Sequence, residues 1–153
     1  MIIFLISDLK VKGGTHKQLL KLVEYTFRQG INFNIITTVY DSEKTFPGFL
    51  KFESKIVVIK KEIGKNVFDK ILKYFRFRIK LKKLIPDESI INIHDGGFER
   101  YLGVFRGKKV YWQINDLNQC FQEGVSINTK NNILNKLLKV YVKRNIHVVK
   151  DFS

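Results

Sequence analysis

The first part of the chain alternates between continuous apolar runs and a helical pattern. Residues 2–6 are all apolar, and residues 31–39 and 55–60 hold further β-branched runs, which is typical of strands buried on both faces of a parallel sheet. Between the first two runs, apolar residues recur at helical spacing over residues 19–27, and Gly30 follows where a helix C-terminal glycine belongs. The pattern predicts a strand, a helix and two further strands.

The same alternation continues to the end of the chain. Helical spacing extends from about residue 66 to residue 84 and stops before Pro86, which cannot continue a helix. The other predicted elements are a loop at 41–52, strands at 89–94, 109–114 and 146–149, a short helix at 98–105 and a helix at 130–143. We therefore predict one α/β domain over residues 1–153, a Rossmann-like, doubly wound, mostly parallel sheet of about six strands with helices on both faces.

A glycine pair opens the first predicted helix directly after the first strand. At Gly13, Gly14 and Thr15, backbone N–H groups and the positive end of the helix dipole favour a phosphate. The spacing matches neither the Gly-x-Gly-x-x-Gly fingerprint nor a Walker loop. A plain turn in which Thr15 caps the helix explains the same residues equally well. The loop is a candidate phosphate-binding site.

Polar residues also follow two later strands at their carboxyl ends, which in a doubly wound sheet face the same crevice as the first loop. His94 is a candidate catalytic residue, and a hydrogen-bonded structural histidine is the alternative. Asn115 can bond sugar hydroxyls and Asp116 can act on a proton, but an Asx turn also accounts for this pair. His16 is interpreted as a polar residue of the first helical turn.

Composition narrows the class of partner. The 28 Lys and Arg residues exceed the 14 Asp and Glu residues, and the resulting charge of +14 favours nucleic acid, an anionic membrane or phosphate-bearing small molecules. Cys120 is the only cysteine, which excludes an intrachain disulfide and a Cys-rich zinc site. No uncharged apolar stretch approaches the roughly 18 residues of a membrane span. We predict a cytoplasmic protein, either free or peripheral on the inner face of a membrane.

The positive charge is concentrated in the long predicted helix. Residues 65–83 hold eight basic residues and one acidic residue, a local charge of 8 − 1 = +7. One face of this helix is apolar and is expected to be partly core, because a crossover helix packs on the sheet. The opposite basic face is typical of an interfacial helix on anionic lipid, with a solvated face as the alternative. The apolar face holds Val67, Phe68, Ile71, Leu72, Phe75 and Ile79, and the predicted membrane-binding residues are Lys70, Lys73, Arg76, Phe77, Lys80 and Lys83.

Together, the buried first strand, Gly13-Gly14, Gly30, Ile35-Ile36-Thr37 and Ile91-Asn92-Ile93-His94 resemble the N-terminal half of family 4 glycosyltransferases of the GT-B fold. The resemblance covers most of the chain. In that family two Rossmann-like lobes face each other, and a sugar moves from a nucleotide donor to an acceptor in the cleft between them. The resemblance implies that Gly13 and Gly14 approach the donor diphosphate and that the loop of Asn115 touches the transferred sugar. Many family members carry histidine where this chain has Asn115.

The resemblance also implies a second, donor-binding lobe, whose paired glutamates have no counterpart in this sequence. We expect the chain to be the acceptor-side lobe of a glycosyltransferase, either truncated or a separate subunit, and inactive by itself. The expected substrates are a nucleotide sugar and a glycan or lipid-linked acceptor, with no resident cofactor or metal. The alternatives are a basic nucleic-acid-binding domain, although no recognised motif for it is present, and a non-catalytic nucleotide-binding domain.

Overall fold

A computed structural model of the chain describes residues 1–10, 12–95 and 97–112. The chain divides into two compact units, Met1–Asn115 and Asp116–Ser153, and every described residue belongs to the first unit. The helix predicted at 130–143, the strand predicted at 146–149 and the site residues Asn115 and Asp116 lie outside the described residues. These features, and the assignment of the whole chain to one domain, stay predictions.

The described part alternates strands with helices. In chain order its strands and α-helices are β1 (Ile2–Asp8), α1 (Gly14–Arg28), β2 (Phe33–Val39), α2 (Pro47–Leu50), β3 (Ile56–Val58), α3 (Val67–Leu84), β4 (Ile90–Ile93) and β5 (Val110–Trp112). Two short 3-10 helices, Glu53–Lys55 and Glu99–Phe105, complete it. The short helix predicted at 98–105 is thus confirmed, whereas α2 and the first 3-10 helix mark regular structure in and just after the segment predicted to be a loop.

The strands form one all-parallel sheet in the order β3-β2-β1-β4-β5. In the register of the sheet, Leu5 of β1 pairs with Ile36 of β2 on one side and with Ile93 of β4 on the other. The chain builds outward from β1 to β3 and then returns through α3 to place β4 on the opposite side of β1. This topology confirms the predicted Rossmann-like α/β fold and creates a switch point between β1 and β4.

Helices cover both faces of the sheet because successive residues of β1 point to opposite sides. On one face, Phe4 and Ile6 pack in a core cluster with Leu19 and Val23 of α1. On the other face, Ile3, Leu5 and Ile93 pack in a second cluster that contains residues of α3, among them Leu81. Burial on both faces explains why the strand sequences lack alternating polar residues.

The C-terminal end of α1 agrees with the predicted role of Gly30, whereas its N-terminal end lacks the predicted cap. Gly30 lies just past the helix with a φ of 66°, the left-handed conformation that glycine adopts without a Cβ penalty. The N-cap is Gly13, and no side chain caps the helix. Thr15 lies one residue inside the helix, which begins at Gly14, so the interpretation of Thr15 as the capping residue is wrong.

The structure reverses the faces that we predicted for α3. Phe77, which we predicted as a membrane-binding residue, is 5% exposed, and its ring lies 4.6 Å from that of Tyr101 and 6.3 Å from that of Phe98. The predicted membrane contact of Phe77 is therefore wrong, because the aromatic residues after β4 bury it. The residues expected to be partly core are exposed instead: Val67, Phe68, Ile71, Leu72, Phe75 and Ile79.

Candidate functional site

The switch point brings two polar loops together at one edge of the sheet. Because β1 and β4 are adjacent and parallel, the loop that leads to Gly13 and the loop that begins at His94 leave the sheet side by side. We name this place the switch-point crevice. Its described residues are Ser7, Asp8, Gly13, Gly14, Thr15, His16, His94, Asp95 and Gly97.

Asp95 fixes the loop after β4 against the end of β1. Its Oδ2 atom accepts hydrogen bonds from both the hydroxyl and the backbone N–H of Ser7, and its Oδ1 atom accepts one from the backbone N–H of Gly97 at 3.1 Å. A Cβ atom on Gly97 would lie 2.3 Å from the Cβ of Ser7, so only glycine fits there. Asp95 and Gly97 therefore hold His94 in place.

His94 is fully buried and directly follows β4. Its backbone N–H donates to the carbonyl of Leu5 at 2.9 Å, which continues the pairing of β4 with β1. Its ring centroid lies 6.0 Å from that of Phe4, and within the described residues neither ring nitrogen has a hydrogen-bond partner. A buried polar group without a partner destabilises a fold by about 1–3 kcal/mol. Such a group in a crevice is a candidate ligand contact.

The surroundings of His94 keep its ring uncharged. Burial lowers the pKa of His94 to about 4, the charge of Asp95 opposes this shift, and the neighbouring His16 adds to it. The imidazole is therefore neutral at neutral pH, with one nitrogen that donates a hydrogen bond and one that accepts. A ring of this kind is suited to bonding a hydroxyl or a phosphate oxygen, and it is a weak proton acceptor.

His16 is a member of the crevice that the sequence interpretation missed. It is buried, and its Nε2 lies 2.5 Å from the carbonyl oxygen of Asp8. A carbonyl oxygen only accepts, so Nε2 carries the proton and donates. The buried Nδ1 atom has no partner in the described part of the chain. The only signal in the sequence was a histidine two residues after the glycine pair.

The N-terminus of α1 lies at the same end of the sheet as His94. Gly13 supplies no side-chain cap, and no acidic residue lies in the first turn. A Cβ atom on Gly14 would meet nothing within 4 Å, and its φ is not positive, so neither space nor backbone conformation requires glycine there. First-turn N–H groups and the helix dipole attract anions. Room for a ligand beside Gly14 is a functional explanation for this glycine.

The predicted membrane-binding cations all lie on α3, which contains none of the crevice residues. Lys70, Arg76, Lys80 and Lys83 are exposed. Lys73 is half-buried, because its ammonium pairs with Asp69 at 3.1 Å and donates to the carbonyl of Ile63 at 2.8 Å. These two contacts engage Lys73 within the fold and make it a poorer candidate for a surface contact than the other four.

A separate cavity of about 450 Å³ lies at the opposite edge of the sheet, near the start of β4. Its lining includes Lys82, Lys83, Arg106 and Lys108. The ammonium of Lys108 is already held by the carbonyls of Pro86 and Asp87 and by the Asp87 carboxylate. The cavity is therefore distinct from the switch-point crevice, and its most buried cation is engaged by the protein.

The described residues offer neither a metal site nor a membrane-spanning helix. They contain no group of three or more His, Cys, Asp or Glu side chains positioned to hold a metal ion, and no helix among them is long and apolar enough to cross a membrane. Comparison of the chain with protein-family models, curated proteins and solved structures finds no match.

Proposed function

We propose that the chain is the acceptor-side lobe of a glycosyltransferase, whose switch-point crevice contacts the diphosphate and sugar of a nucleotide-sugar donor. The observation that supports this proposal is the pairing of two features at one switch point. The open N-terminus of α1 is suited to an anion, and the buried, neutral His94 has unmet hydrogen-bonding capacity. The resemblance to family 4 glycosyltransferases supports the same function.

The chemical task of such an enzyme is to stabilise a departing nucleoside diphosphate. The backbone N–H of Gly14 and the dipole of α1 are fixed before the reaction, so they stabilise developing negative charge without reorganisation. His94 donates to, or accepts from, an oxygen of the bound substrate, and this contact supplies a hydrogen-bond partner that its ring lacks among the described residues.

Proton removal from the acceptor is assigned to another group. With its pKa lowered to about 4, His94 is a poor general base at neutral pH. We therefore propose that His94, predicted as a catalytic residue, bonds the substrate and does not act as the base. A second, donor-binding lobe is proposed to supply the contacts to the nucleotide, and the acceptor is proposed to be a glycan or a lipid-linked molecule.

The proposal is tested by restoring sugar transfer. An extract of host cells that lack the chain supplies any partner lobe, and labelled nucleotide sugars are added one at a time with and without the purified chain. We expect one donor to give a labelled glycan or lipid-linked product only when the chain is present, and a His94→Ala chain to restore less product. If no donor gives a chain-dependent product, or if the chain binds nucleotide sugar without any transfer, the proposed reaction is wrong.

A further inference from the structure

Helix α3 carries a line of apolar side chains that are exposed in the described part of the chain. Phe68, Leu72, Phe75 and Ile79 follow one another at intervals of four, three and four residues, which places them on one side of a helix. Ile71 lies beside this line. The exposed fractions of these five side chains range from 41% for Leu72 to 78% for Phe68. We name these five residues the apolar stripe.

The apolar stripe is not the side of α3 that forms the core. Tyr74, Phe77 and Leu81 lie on the opposite side, where Phe77 and Leu81 are buried and Tyr74 stacks on Tyr101 with ring centroids 5.2 Å apart. Among the described residues, α3 therefore makes its core contacts without the stripe. Contiguous exposed apolar side chains rimmed by polar residues mark an interaction surface.

Basic side chains border the apolar stripe on both sides. At 100° per residue, Arg76, Lys80 and Lys83 fall along one border, and Arg78 and Lys82 fall along the other. Helix α3 holds seven basic residues and one acidic residue, so its charge is 7 − 1 = +6. Lys73 pairs with Asp69 and Lys80 with Glu62, whereas in the described residues the other bases of α3 form no ion pair.

From this arrangement we infer that α3 lies flat in the surface of an anionic membrane, with the apolar stripe inserted among the lipid chains and the bordering cations at the lipid phosphates. Long Lys and Arg side chains reach the headgroups while their stems cover apolar surface. A second copy of the chain would bring two helices of charge +6 together, which charge repulsion opposes. The inference is independent of the proposed sugar transfer.

The test uses the whole chain with vesicles of phosphatidylcholine alone or mixed with phosphatidylglycerol. We expect sedimentation with the mixed vesicles only, and weakening of this binding as salt rises. The double variant Phe68→Ser, Phe75→Ser should need at least tenfold more lipid for half-binding. The matched control is Tyr25→Ser, since Tyr25 is an exposed aromatic residue on α1, the helix that covers the other face of the sheet.

Insertion is measured separately with a tryptophan reporter. The fluorescence of the tryptophan introduced in Phe75→Trp should be quenched by lipids brominated on their acyl chains. The tryptophan introduced in Tyr25→Trp should not be quenched. Both variants keep the natural Trp112, so its contribution to the signal is the same in each. Equal binding by the double serine variant and the wild-type chain would overturn the inference, as would absence of binding to the mixed vesicles. The inference would also be overturned if the wild-type chain were a dimer and the double serine variant a monomer, because a second copy would then cover the apolar stripe.

Discussion

His94 combines complete burial with an imidazole whose nitrogens are unpartnered in the described part of the chain. The fold accommodates this ring only in its neutral form, because a charge there would lose its hydration. At neutral pH the ring therefore keeps its hydrogen-bonding capacity unmet among the described residues. In acid the same burial makes His94 a source of instability.

Stability should therefore fall as the pH decreases through the range set by His94. Its pKa is about 4 in the folded lobe and about 6.5 in the unfolded chain, so the unfolded state binds more protons between these values. The stabilisation is fully present above about pH 6.5 and is lost towards about pH 4. From pH 7 to about pH 4.5 the loss from this group should be on the order of 2 kcal/mol.

Urea denaturation of the wild-type chain and of His94→Leu at both pH values measures this loss. The variant should lose less stability than the wild type over the same interval, because leucine does not titrate. Parallel loss in the two proteins would show that His94 does not titrate as a buried neutral ring.

Single residues also show where the sequence was insufficient. The position of His94 at the end of a strand follows from the apolar run before it, and the structure confirms that strand. The role of Asp95 could not be predicted, because its partner Ser7 lies 88 positions away in the chain. The same distance conceals the reason for Gly97, whose missing side chain is required by Ser7.

Among the elements, α3 departs furthest from expectation although its bounds were predicted closely. Its sequence contains two apolar lines, one through Phe68 and Phe75 and one through Phe77 and Leu81. Periodicity identifies both lines but not the one that packs. The line through Phe77 is the one that packs in the core, because Phe98 and Tyr101, which follow β4, contact the ring of Phe77. Helical spacing alone carries no information about those partners.

Two matched substitutions test the observed orientation of α3. Phe77→Ala should destabilise the lobe by about 3–5 kcal/mol, because it removes a buried aromatic side chain and leaves a cavity. Phe75→Ala should cost about 1 kcal/mol or less, because half of that side chain is exposed and its neighbours can adjust. Thermal or urea unfolding of both variants gives the comparison. A larger loss for Phe75→Ala would mean that the apolar stripe belongs to the core.

In the described unit as a whole, the topology places the switch-point crevice and the start of α3 at the same end of the sheet. The crevice lies at the carboxyl ends of the strands, and α3 begins at the same edge because it follows the carboxyl end of β3. A membrane along α3 would therefore run alongside the unit that carries the crevice. This arrangement would suit a substrate that remains attached to lipid. The sheet and its switch point were predictable because unbroken apolar strands alternate with helices, a pattern typical of a parallel sheet covered on both faces.

The most direct test of the account is the affinity of the crevice for a nucleotide sugar when Gly14 carries a side chain. Gly14→Val should weaken binding of the transferred donor at least tenfold, about 1.4 kcal/mol, because its methyl groups occupy the space proposed for the diphosphate. Gly14→Ala should weaken it less. Neither change should lower the melting temperature, because a Cβ at Gly14 meets no atom within 4 Å and its φ is not positive. The affinities are measured as the donor concentration that half-saturates chain-dependent sugar transfer, with the wild-type chain or either variant added to the same extract that supplies the partner lobe. Equal affinity of all three for the donor would contradict a phosphate site at the N-terminus of α1.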